Sequence, residues 1–280
     1  MGKGLLRIST GRSAKCFPSL NMNAIKIASM SHAGKILGEV LSELTKFVRP
    51  GITELDIDEM AEKLIVEKGG EPGFKKVPGY KHTICISVND VVVHGIPTKR
   101  EIKEGDVVGI DCGVFYKGYH TDMAETVRVS NSKLKTQNSK DEVDRFLAAG
   151  KKACFDGIRQ AKAGNRVGHI SQAMQKAVEG GGFSVVRNLV GHGVGKSLHE
   201  APEIPGYLGQ RIGETPLLSE GQTIAIEIIY NMGKAGVVYS GEDDWTIVSE
   251  DGSLSGLFER TVLVTKMGPE LITRLSGDRL

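Results

Sequence analysis

The sequence predicts an internally duplicated α+β fold, in which two copies of a helix, helix, strand, hairpin unit share one curved antiparallel β-sheet whose helices cover one face. Three observations predict it. Stretches of helical period are followed by β-branched stretches, short motifs recur in the same order in both halves, and Asp111 and Glu227 stand at matching positions of the repeated strands.

Residues 24 to 48 carry Ile25, Ala28, Ile36, Leu37, Val40, Leu41, Leu44 and Val48 at helical spacing, and RPG ends the run. A second helix follows in LDIDEMAEKLIVEKGG (55 to 70); Thr53 or Glu54 marks its start and the glycine pair its end. TICISVNDVVVHG (83 to 95) and DVVGIDCGVFYKGYHTDMAETVRV (106 to 129) are β-branched and read as strands. The polar run SNSKLKTQNSKDE is expected to be a solvated connection, leading into a helix near 142 to 162.

The repeat is read from ordered pairs. AGK at 33 recurs at 149, and Gly51 with Ile57 is answered by Gly164 with Ile170. VEKGG is answered by VEGGG, HG at 94 by HG at 192, GDVVGID by GQTIAIE, and TVRV by TVLV. The halves are therefore placed at about 24–130 and 142–268 of one domain spanning 24–280, with residues 1–23 as a disordered extension. That extension is basic, and no acidic residue occurs from Met1 to Gly38, a composition that also fits an organellar transit peptide.

Composition bounds the function. With 36 basic and 34 acidic residues the net charge of +2 argues for neither nucleic acid nor a membrane surface as partner. No apolar run approaches the roughly 20 residues that span a bilayer. Cys16, Cys85, Cys112 and Cys154 form no C-x-x-C pair, so neither a disulfide framework nor a thiolate zinc site is expected, and a reducing, cytoplasmic compartment is.

The hairpin IDCGVFYKGYHTDM bears on chemistry. If its turn is centred between Tyr116 and Lys117, Asp111 faces Asp122 across the strands. Directly opposed like charges are destabilising, so something positive belongs between them. A lysine or a shared proton would serve, but divalent ions account for more of the surroundings. Carboxylates joined by an imidazole suit manganese, iron, cobalt or zinc. The second half adds His192, Glu227 and Glu259, and five such ligands would hold a pair of ions.

NDVVVHGIP, GIDCGVFYKGYHTDMAET, GHGVGKSLHEAP, AIEIIYNMG and SGLFERTVLVT, in this order, resemble the motifs of the type 1 methionine aminopeptidases, in the pita-bread metallopeptidase family (peptidase family M24). The resemblance runs from about Ile25 to Gly268. It implies the pita-bread fold with a central dinuclear site. It further implies that Asp111 binds one divalent ion, that Asp122 and Glu259 bridge both, and that His192 and Glu227 complete the other shell. His94 and His199 are expected to contact substrate and reaction intermediate, with Glu227 as proton shuttle. Tyr80, Cys85, His94, Leu198 and Trp245 are expected around the methionine side chain. The implied activity is metal-dependent removal of the N-terminal methionine from peptides and nascent chains with a small second residue, by a cytoplasmic monomer working near the ribosome.

The chain departs from the family pattern where Ile228 replaces a proline, Arg260 a histidine and Leu198 an aromatic residue, and near Val77, where a pocket tyrosine is replaced. Two other functions compete. Proline-specific peptidases share the ligand core but carry a large preceding domain, and non-catalytic relatives have lost ligands that are all present here. A type 2 enzyme would need an insertion between His199 and Glu227, which are only 28 apart.

Overall fold

The structure is a computed structural model that describes residues 22–130, 141–241 and 243–280. Its first half opens with helices α1 (Met22–Phe47) and α2 (Glu54–Glu67), close to the predicted spans. Thr53 caps α2 reciprocally: its hydroxyl accepts the Asp56 N–H at 3.1 Å, while the Asp56 carboxylate accepts the Thr53 N–H at 2.7 Å. Strands β1 (Glu71–Pro72), β2 (Ile84–Val88), β3 (Val91–Val93), β4 (Val107–Tyr116) and β5 (Tyr119–Arg128) follow. The single run predicted at 83–95 is two strands, because Asn89 adopts φ 60° and turns the chain.

The second half repeats the order with α3 (Glu142–Ile158), α4 (Val167–Gly180), β6 (Ser184–Val185), β7 (Val190–Gly193), β8 (Glu200–Pro205), β9 (Thr223–Asn231), β10 (Val237–Tyr239), β11 (Ile247–Ser249) and β12 (Ser255–Val264). β13 (Pro269–Leu271) then doubles back on β12. The predicted extension (apart from its last two residues, which open α1) and most of the solvated connection lie outside the described residues.

The large sheet runs β1-β4-β5-β12-β9-β7-β8, with β2 also on β4, β6 on β9 and β13 on β12; a small sheet holds β10-β11-β3. All strand pairs are antiparallel, and the halves meet at the β5–β12 seam. β4 corresponds to β9 and β5 to β12. The duplication reaches the turns: Gly51 and Gly164 adopt φ 88° and 93°, and Gly69 and Gly182 adopt 83° and 87°. These left-handed positions favour glycine, which explains why glycines dominate the readable repeat.

Each half has its own core. Leu37, Leu41, Ile57 and Ile65 pack on Ile84, Ile110 and Val114, whereas Phe146, Ile158, Ile170 and Met174 pack on Ile226, Tyr230 and Phe258. Fully burying side chains of this size contributes about 1.5–3 kcal/mol each. The two cores occupy the helix-covered face of the sheet; on the other face Val92, Val93 and Ile247 of the small sheet pack on Ala124, Ile229 and Leu257.

Candidate metal centre

Strand alternation and register bring the predicted acids onto one face. Asp111 on β4 pairs with Ala124 on β5, Ala124 with Glu259 on β12, and Glu259 with Glu227 on β9, forming one row across four strands. Asp122 lies two residues before Ala124, and His192 on β7 pairs with Ala225, two before Glu227. A two-residue step preserves the face, so all five side chains share it.

The expected Asp111–Asp122 opposition is not what forms. Lys117 and Gly118 take φ 46° and 87° and close the hairpin on Tyr116↔Tyr119, so Asp111 faces Ala124 and Asp122 faces Gly113. A two-residue turn with both φ positive matches the right-handed strand twist, and its centre falls one residue later than expected. Asp111 and Asp122 are diagonal neighbours; the directly opposed like charges are Glu227 and Glu259.

One atom each from Asp122, His192 and Glu259 lie within 4.8 Å of one another. The His192 Nε2 is 3.9 Å from Asp122 Oδ2 and 4.0 Å from Glu259 Oε1. These gaps are too long for hydrogen bonds and short enough for one ion to reach both sides, metal bonds to N and O being about 2.0–2.2 Å. His192 Nδ1 lies 2.9 Å from the Gly193 carbonyl. A carbonyl only accepts, so Nδ1 carries the proton and Nε2 presents its lone pair to the carboxylates. Burial, then His199, pushes His192 down to about 4, keeping it neutral.

The carboxylates are poorly satisfied by the protein alone. Asp111 Oδ1 and Glu259 Oε1 are buried without a hydrogen-bond partner. Burial pushes Asp122 up to about 7, and burial followed by Asp122 pushes Glu227 up to about 8. Asp111 and Glu259 are also driven well up, first by burial and then by Asp122. Among the described residues lining the cavity there is no lysine or arginine, which removes the lysine alternative. Oxygen-rich, cation-free and carrying one oriented imidazole, the cluster fits divalent ions.

The glycines around His192 answer to close approach. A Cβ at Gly191 would lie 2.6 Å from the Ala225 carbonyl oxygen, and one at Gly193 would lie 2.2 Å from that of Ala201. Strand β7 is thereby seated between β9 and β8. His199 precedes β8, and its ring stands 4.3 Å from that of His192 at 77°. His94 follows β3 at φ 57°, a sparsely populated conformation that aims its ring into the same space. Burial lowers the pKa of both, aided at His94 by His199.

A cavity of about 190 Å³ joins the cluster to an apolar wall, and every predicted site residue lines it. Tyr80, Cys85, Leu198 and Phe74 form a buried apolar cluster against which Val77 and Trp245 pack. The Trp245 ring meets Tyr80 edge-on at 5.1 Å, while the Tyr80 hydroxyl donates to the Ile84 carbonyl at 2.7 Å. Phe74, Val93, Leu189, Val190 and Ile229 also line the cavity and were not anticipated. Val190 and Ile229 stand two residues from His192 and Glu227, so the strand period would have found them. Phe74 and Leu189 lie outside the strands and give no such signal. Two of the other histidines serve structure: His82 bonds Asp58 at 3.0 Å, and His169 Nδ1 accepts the Arg166 N–H at 3.0 Å at the start of α4.

The profile of "Metallopeptidase family M24" matches residues 28–266. The chain is 43% identical over 251 residues to the methionine aminopeptidase of Clostridium perfringens, covering 90% of this chain and 97% of that protein. It resembles the crystal structure of methionine aminopeptidase from Thermotoga maritima with a TM-score of 0.83 and 37% identity, covering 89% and 97% of the two chains. The Xaa-Pro dipeptidase of Bacillus anthracis shares the fold, with a TM-score of 0.69 and 21% identity, but only 62% of that chain is covered.

Proposed function

The chain belongs to metallopeptidase family M24, and on that premise we propose that it hydrolyses the N-terminal methionine from peptides and nascent proteins with a small second residue. It is a metalloaminopeptidase of the pita-bread fold. The observation that carries the reading is the convergence of Asp122, His192 and Glu259 within 4.8 Å in a pocket with an apolar wall. Near-complete coverage of the methionine aminopeptidase relatives, against partial coverage of the Xaa-Pro dipeptidase, favours it over the proline-specific alternative.

Two divalent ions, of manganese, iron, cobalt or zinc, are assigned to the cluster. Asp111, Asp122, His192, Glu227 and Glu259 would hold them. When bound, the ions supply Lewis acidity that makes water available as a nucleophile near neutral pH. The protein does the rest. Tyr80, Cys85, Leu198 and Trp245 hold the methionine side chain in the dry end of the cavity, and His94 hydrogen-bonds the scissile amide nitrogen. His199, neutral at pH 7, donates its ring N–H to the oxyanion that develops on the scissile carbonyl. The Glu227 carboxylate moves a proton from the attacking water to the leaving amine. Residues 24–280 act as one domain, as a monomer in the cytoplasm near the ribosome. Among the described residues no helix is long and apolar enough to cross a membrane.

The test is release of the first residue from Met-Gly-x, Met-Lys-x, Leu-Gly-x and Ala-Pro-x by protein stripped of metal and resupplied with Mn(II), Fe(II), Co(II) or Zn(II). Metal-restored cleavage of Met-Gly-x alone is expected. Cleavage of Ala-Pro-x, or of nothing with any metal, refutes the assignment.

A further inference from the structure

The seam that carries Asp122 on one side and Glu259 on the other is a short ladder, paired in register only at Glu259↔Ala124 and Arg260↔Met123. Side chains make up the difference. Thr261 Oγ1 accepts the Asp122 N–H at 2.9 Å and donates to the Asp122 carbonyl at 2.8 Å, clamping that peptide to β12. Thr261 is itself held by the segment after β13: Ile272 N–H and Thr273 N–H donate to its carbonyl at 3.0 and 3.2 Å. The Thr261 N–H donates at 2.8 Å to Thr273 Oγ1, which also reaches the Asp122 carbonyl at 3.4 Å. Thr273 is fully buried.

The same segment grips the seam a second time. Asp278 accepts from Arg260 Nε at 2.7 Å and, through the same oxygen, from the Leu275 N–H at 2.8 Å. Arg260 is fully buried on the face opposite the cavity. Its Nη1 donates to the carbonyls of Glu259 at 2.8 Å and Ala124 at 2.9 Å, one on each side of the seam. Its Nη2 donates to Glu125 at 2.6 Å, and Lys151 pairs with the same carboxylate at 2.7 Å. Helix α1 is cut to admit the segment, since a Cβ at Gly34 or Gly38 would lie 2.1 Å from the Ile272 carbonyl oxygen or 2.2 Å from that of Arg274.

We propose that residues 272–278 are a positioning strap for the metal centre, setting the spacing of Asp122 and Glu259 through Thr273 on one strand and Asp278–Arg260 on the other. The proposal rests on the metal-centre reading above and goes beyond it by making a remote segment part of the site. Arg260 is then no incidental departure from a family histidine: the guanidinium spans both carbonyls of the seam and takes a carboxylate from the strap, a fork that an imidazole lacks. Hydrogen bonds that orient metal ligands are worth about 10- to 100-fold in metal affinity, and the strap's bonds act on the backbone that carries two of them.

The test is Mn(II) affinity, by chelator competition, alongside the melting temperature of the metal-free protein. Thr273→Val and Asp278→Asn are each expected to weaken Mn(II) binding about 10-fold or more, with Thr273→Ser close to wild type. Val178→Ala, a cavity in the distant α3–α4 core, serves as the control that lowers melting temperature without touching the seam. If the strap variants lose no more Mn(II) affinity than this control, the strap is merely structural and the proposal is overturned. If Asp278→Asn does not fold, Thr273→Val against Thr273→Ser still decides. Failure of the wild-type chain to bind Mn(II) at all would instead overturn the metal centre, and the strap's role with it.

Discussion

Replacing Asp122 with Asn in the metal-free protein should stabilise it, and the effect should grow with pH. Burial moves the Asp122 carboxyl from its ordinary 3.8 up to about 7. The folded state therefore keeps a proton that the unfolded state has lost between those two values. Stability is greatest below about pH 3.8, falls as pH rises toward 7, and is flat above. At 1.36 kcal/mol per pH unit the whole loss is about 4 kcal/mol, of which roughly 3 falls between pH 5 and pH 8. Asn cannot ionise, yet its oxygen still accepts the Met123 N–H that Asp122 Oδ1 accepts at 3.0 Å. The buried histidines complicate the raw profile: His192 and His120, lowered to about 4, act with the opposite sign below pH 6.5. Wild type against variant at each pH cancels that contribution. Thermal unfolding in chelator at pH 5, 6, 7 and 8 should show a gap that widens by roughly 6–12 °C across the series. A constant gap, or a variant less stable at pH 8, would refute the argument that Asp122 is an uncompensated buried charge awaiting a cation.

Other predictions follow from the same geometry. Divalent metal added to metal-free protein at pH 7 in weak buffer should release at least one proton, because Glu227 titrates near 8 and Asp122 near 7 without it; an indicator dye that records no acidification contradicts the protonated cluster. His199→Ala should lower kcat by about 100-fold if the imidazole is an oxyanion donor of ordinary strength. An effect confined to KM would make it a ground-state binding residue instead. Gly193→Ala puts a methyl 2.2 Å from the Ala201 carbonyl oxygen and should cost about 1–3 kcal/mol or more by urea unfolding; an unchanged midpoint would mean that β7 is looser than its register implies.

Much of this was legible in the chain itself. Helical and strand periods are local properties, so α1, α2 and the long strands fall close to their predicted spans, and glycines at left-handed turns recur in both halves because the turns do. The five expected ligands, the two expected substrate-contacting histidines and the apolar wall were named by residue, since their motifs carry them in order, and one cavity gathers them. What depended on long-range geometry was not legible. A turn centred on Lys117 and Gly118 set Asp111 opposite Ala124 and Asp122 opposite Gly113, and the separate β9–β12 register set Glu227 opposite Glu259, because register depends on where each pair of strands meets while the pattern of side-chain faces does not. The raised carboxylate pKa values exist only once folding has stripped water from four acids together. Arg260 and Asp278, 18 residues apart, became partners only because β13 folds back on β12 and α1 leaves a glycine-floored groove for the chain that follows. Residue types and periods set which atoms were available; the tertiary fold decided which of them meet, since distances across a sheet are set by register and not by sequence order.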